Sequence, residues 1–105
     1  MDTKYNGWTN YETWCAKLWI DNDQSIQEMW DQAARDMLAE PPASEVLTPE
    51  ESALYGFTDA LKAYYEGNVP EMENSVYYDL LCAALKSVNW REIAGNIMGG
   101  LTERA

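Results

Sequence analysis

Thr48-Pro49-Glu50-Glu51-Ser52-Ala53-Leu54-Tyr55-Gly56-Phe57-Thr58-Asp59-Ala60-Leu61-Lys62-Ala63-Tyr64-Tyr65-Glu66 is the stretch that decides the fold class of this 105-residue chain. Thr48 offers a capping hydroxyl. Pro49 sits at the first helical position, where an N–H has no partner anyway, and Glu50 and Glu51 lie at the positive end of the helix dipole. Leu54, Phe57, Leu61, Tyr64 and Tyr65 then recur at helical spacing as an apolar face. Glu51, Asp59, Lys62 and Glu66 fall on another face. Gly56 lies inside the helix at a cost of about 1 kcal/mol against Ala, and is read as a site of close helix crossing.

Working outward, the same signals recur. Upstream, Ser25 and Glu28 have capping-box spacing, and Ile26, Met29, Trp30, Ala33, Ala34, Met37 and Leu38 follow as a stripe that Pro41 and Pro42 terminate. Before that, Thr9 and Glu12 repeat the box, with Tyr11, Trp14, Cys15, Leu18 and Trp19 as the apolar stripe and Asp21-Asn22-Asp23 as the stop. Downstream, residues 67–73 form a connector. A helix is predicted from about Ser75 to Lys86 with Tyr77, Leu80, Leu81, Ala84 and Leu85 inward. Asn89 caps a fifth helix, with Glu92 at its third position. Trp90, Ile93, Ala94, Ile97, Met98 and Leu101 are its stripe, and Gly99-Gly100 should fray it. The one candidate strand is short, near Glu45 to Leu47. The expected architecture is all-α: one compact domain over 1–105, a bundle of about five amphipathic helices.

Charge is the first functional clue. Eighteen Asp and Glu face seven Lys and Arg, a net charge of −11. Between Leu18 and Asp79 fourteen acids face two bases, Arg35 and Lys62, so the whole surplus lies in the middle of the chain. Such a field repels nucleic acid and lipid headgroups and attracts basic surfaces. Cys15 and Cys82 read as small core residues. Met1 to Gly7 is polar and no window approaches the ~20 apolar residues of a membrane span, so a cytoplasmic location is expected.

Much catalytic chemistry has no residues to run on. There is no histidine, which removes the commonest general base, the Ser–His and Cys–His systems and zinc sites built on His. No glycine-rich phosphate loop is present. Asp21, Asp23 and Ser25 match the first ligand positions of a calcium loop, but Ile26 stands where Gly is needed and Gln32 where Glu is needed. Glu50 with Glu51, or Glu71 with Glu73, are the candidates for a carboxylate-held Mg²⁺, although adjacent acids at a helix start are ordinarily caps. Trp8, Trp14, Trp19 and Trp30 lack the interleaved Lys and Arg of a base-stacking platform and read as core, with Trp8 and Tyr5 the more exposed. The last two helices have helix-turn-helix spacing, with a thin basic footprint of Lys86, Arg91 and Arg104. No enzyme activity, cofactor or metal is expected.

Tyr5-Asn6-Gly7-Trp8-Thr9-Asn10-Tyr11-Glu12-Thr13-Trp14 resembles the W-T-N-x-E-T-W box of small phage, plasmid and other mobile-element proteins. Leu18-Trp19-Ile20-Asp21-Asn22-Asp23 resembles the L-W-[IL]-x-N-[DE] stretch that follows it. Tyr78 to Leu85 and Val88 to Ala94 are similar to their terminal helix pair. The resemblance covers both ends of the chain and leaves residues 24–74 unmatched. It implies a mobile-element context, with no activity and no catalytic residues to transfer. The residues of the box also have a structural reading: Thr9 and Glu12 cap, and Trp8 staples against the first turn.

Together these observations raise one expectation. A small acidic mobile-element protein can occupy the basic nucleic-acid groove of a host defence enzyme, such as a CRISPR effector or a restriction enzyme. Carboxylates three or four residues apart on a helix lie roughly 6 Å from one another, comparable with phosphate spacing. The predicted partner-binding residues are Glu28, Asp31, Asp36, Glu40, Glu45, Glu50, Glu51, Asp59 and Glu66. The expected partner is a basic protein surface, with no direct contact to nucleic acid or membrane. Two other readings stay open: an accessory interaction protein, and a small helix-turn-helix-like regulator.

Overall fold

The longest helix begins where Thr48 puts it. In α3 (Pro49–Gly67) the capping box closes both ways: Thr48 Oγ1 accepts from the Glu51 N–H at 3.1 Å, and Glu51 Oε1 accepts from the Thr48 N–H at 3.2 Å. Its Ala53, Phe57 and Leu61 are buried. Full burial of a side chain such as Phe57 or Leu61 contributes about 1.5–3 kcal/mol.

The structure is a computed structural model describing residues 4–104, with side chains for 4–101. Around α3 stand α1 (Tyr11–Asn22), α2 (Gln24–Ala39), α4 (Val76–Ser87) and α5 (Trp90–Arg104). α3 packs against α2 and α5. α2 also meets α1 and α5, while α4 packs chiefly against α1. Ile20, Trp30, Ala34, Phe57, Leu61, Trp90, Ile93, Ala94 and Ile97 form the heart of the core. The described residues form an all-α bundle of five helices.

Several local expectations shift. α1 is capped by Asn10, whose side chain accepts from the Thr13 N–H, and not by Thr9. α2 is capped by Asp23, not Ser25: its carboxylate accepts from the Ile26 N–H at 3.2 Å, so a single residue separates α1 from α2. Residues 45–47 form no strand. Ser44 Oγ accepts from the Val46 N–H and the Ser44 carbonyl from the Leu47 N–H, making a turn. α5 continues through Gly99-Gly100 to Arg104, because Ile97, Met98 and Leu101 on either side of the glycines are buried.

The inward faces of α1 and α4 also differ from the predicted stripes. α1 turns Thr13 and Ile20 into the core and leaves Tyr11 and Trp19 exposed, Trp19 at 71%. α4 has no buried residue, and Tyr77 and Leu80, predicted inward, are 75% and 63% exposed. Gly56 does lie where α3 passes α2, but a Cβ there would meet Met37 Sδ at an ordinary 3.7 Å, so the crossing does not require glycine.

The two ends of the chain are locked by a polar network. Thr13 Oγ1, fully buried, donates to Asn10 Oδ1 at 2.6 Å and accepts from the Asn89 N–H at 2.8 Å. Asn10 Nδ2 donates to the Ser87 carbonyl, and Asn89 Nδ2 to Thr9 Oγ1. Asn89 Oδ1 caps α5 by accepting from the Glu92 N–H, while Glu92 Oε1 accepts from the Thr9 N–H at 2.9 Å. The starts of α1 and α5 therefore satisfy each other's orphan groups. Ahead of the network, Asn6 and Gly7 both have positive φ, 47° and 86°, in a tight turn closed by reciprocal Tyr5–Trp8 backbone bonds. Asn-Gly is the pair that such a turn favours. Tyr5 packs on Tyr11 and Trp14 at the first turn of α1, with ring centroids 5.1 and 4.9 Å away, and Trp8 is partly buried against the core.

Candidate functional site: an acidic surface and an apolar groove

The nine predicted acids are spread over two helices and the connector between them. Glu28 and Asp36 are exposed on α2, and Asp31 is partly buried. Glu40 is the C-cap of α2, and Glu45 is exposed in the connector. Glu50 and Glu51 occupy the first turn of α3, and Asp59 and Glu66 are exposed further along it.

Their local roles differ. Glu28 accepts from Gln24 Nε2 at 3.0 Å and Asp36 from Gln32 Nε2 at 2.9 Å, each one turn away on α2. Glu51 closes the Thr48 box. Glu66 lies 4.0 Å from Lys62 in an exposed pair worth only a few tenths of a kcal/mol. Glu51, Asp59 and Glu66 share the outward face of α3. At eight and seven residues apart they rise about 12 and 10 Å along the axis, wider than a three-or-four-residue row.

Clefts bring some acids together. Glu66 joins Glu71 and Glu73 around an open cleft of about 760 Å³ beside Tyr78. Asp31 lines a small cleft of about 140 Å³ with Asp21 and Lys17. Glu40 lines a third, of about 430 Å³, between the end of α2 and the start of α3. Asp21 pairs with Lys17 and Asp23 caps α2, so the partial calcium motif is spent on helix ends. Among the described residues no group of three or more acids or cysteines is placed to hold a metal ion. No helix among them is long and apolar enough to cross a membrane. Lys86 and Arg91 are exposed, Arg91 lying 5.4 Å from the Tyr55 ring, and the Arg104 side chain is outside the described residues.

An apolar groove of about 320 Å³ runs between α1 and α4, and the sequence reading did not anticipate it. Tyr11, Cys15 and Trp19 form one wall and Leu81, Ala84 and Val88 the other. Tyr65 and Trp90, stacked at 5.2 Å and 7° between planes, also line it. Behind them Trp30 Nε1 donates to the Tyr65 hydroxyl at 3.2 Å. Burial pushes the Tyr65 phenol above its ordinary pKa, against a smaller opposing effect of the Trp30 bond. The signal for the groove was present: Val76, Tyr77, Leu80, Leu81, Ala84, Leu85 and Val88 cover about half the circumference of α4, wider than one packing stripe needs.

No curated protein and no solved structure matches the chain. Residues 1–98 match a family of unknown function, DUF7249, and the chain belongs to that family.

Proposed function

We propose that this protein works by binding and not by catalysis: a mobile-element product that occupies the basic nucleic-acid cleft of a host defence enzyme, a CRISPR effector or a restriction enzyme. The observation that carries the reading is the concentration of fourteen acids against two bases between Leu18 and Asp79, most of them exposed on rigid helices. Carboxylates fixed on a folded scaffold need little ordering on binding, and a dense negative field speeds encounter with a positive cleft. Phosphate-binding clefts supply the complementary charge.

The apolar groove favours a second reading, an accessory protein that joins partners through α1 and α4. A displacement assay separates the two. A DNA-bound defence nuclease is titrated with the protein and free duplex is measured. Release of duplex, with no shift of duplex by the protein alone, supports cleft occupancy. Binding to the nuclease with the duplex still attached supports the accessory reading.

A further inference from the structure

The geometry points to a second copy of this chain as the occupant of the α1–α4 face, in a two-fold dimer that leaves the acids of α2 and α3 outward. The chain exposes 7356 Å², where a folded monomer of 12.0 kDa is expected to expose about 6,000 Å². Its radius of gyration is 15.0 Å, against about 13 Å for a compact domain of this length. A stable interface buries ~800 Å² per partner.

Much of the exposed apolar surface lies on this face. Trp19 is 71%, Tyr77 75% and Tyr11 52% exposed, together roughly 400 Å² for side chains of this size. Leu80 and Val76, each 63% exposed, extend it. Tyr77 and Leu80 stand one helical turn before Leu81 and Ala84, so they prolong the groove wall.

Shape and charge choose the partner. A two-fold interface must carry both halves of its own contact on one patch. This patch has them: a recess floored by stacked rings, and projecting aromatic side chains at its edge. Among the described residues Glu12 is the one charged residue lining the groove, so a basic partner finds little to grip. Two chains of net charge −11 repel elsewhere and can meet with least repulsion here.

The test is the mass of the full chain by sedimentation equilibrium at micromolar concentration, in low and moderate salt. A mass near 24 kDa is expected, twice the 12.0 kDa of the chain, with association tightened by salt. Trp19→Ala and, separately, Leu80→Gln should each weaken the dimer at least tenfold, with helical circular dichroism unchanged because both residues are exposed. Asp59→Asn, on the acidic side, should leave the dimer intact. A wild-type mass of 12.0 kDa in both salts overturns the proposal, as does a dimer that neither Trp19→Ala nor Leu80→Gln weakens. Displacement of duplex from a nuclease is read separately, so either idea can fail without the other.

Discussion

Thr13 Oγ1 accepts a hydrogen bond from the backbone N–H of Asn89, 76 residues away, at 2.8 Å. One buried hydroxyl thus ties the start of α1 to the residue that caps α5. Thr13→Val keeps the shape and removes both hydroxyl bonds, leaving the Asn89 N–H without its partner. The expected loss is about 2–3 kcal/mol of unfolding free energy in urea titrations. Thr13→Ser keeps both bonds and should lose only about 1 kcal/mol, for its methyl group.

Tyr65 should govern the alkaline limit of stability. Its folded-state pKa is raised above the ordinary value of 10.0, chiefly by burial. An acid whose pKa is higher folded than unfolded holds its proton more tightly in the native state. Its contribution is therefore complete below pH 10 and is lost as pH rises from there through the folded pKa. Tyr65→Phe should flatten that decline in melting temperature above pH 10. At neutral pH it should lower stability by about 1–2 kcal/mol, since Trp30 Nε1 loses its acceptor.

Glycine positions predict opposite signs. Gly56→Ala places a methyl group in ordinary contact with Met37, and Gly99→Ala places one in open space. Each should stabilise the fold by about 0.5–1 kcal/mol, by helix propensity and reduced unfolded-state entropy. Gly7→Ala, at φ +86°, should destabilise by about 1 kcal/mol. Thermal melts of the three variants check the signs.

Added salt should raise the melting temperature. Two like charges ~7 Å apart in water repel by roughly 0.6 kcal/mol before screening, and the middle of the chain holds many such charges. Melts across a moderate NaCl range measure the effect.

The all-α class and the five helices were legible because caps and apolar period act locally, as at Thr48 and Asn89. The cap assignments at Thr9 and Ser25 failed because two capping residues lay within reach of each helix start. Asn10 won because its amide also bonds the Ser87 carbonyl, a contact from the other end of the chain. Trp19, Tyr77 and Leu80 were assigned inward on period alone. Period identifies an apolar arc but not which part of a wide arc the rest of the chain covers. The acids were legible as charge. Which acids share a cleft was not, since the cleft joining Glu66 to Glu71 and Glu73 depends on how the 68–75 connector folds back.

If exposed carboxylates grip a basic defence protein, as proposed, salt must loosen that grip. The most direct measurement is a pull-down with the tagged protein from cells carrying a defence system, at low and high NaCl, beside a variant with Glu28, Asp36, Glu51 and Asp59 replaced by their amides. The expected result is recovery of a basic nucleic-acid-binding enzyme at low salt, its loss at high salt, and at least tenfold less of it with the variant. Recovery of the same partners at both salt concentrations, or equally by the variant, would contradict it.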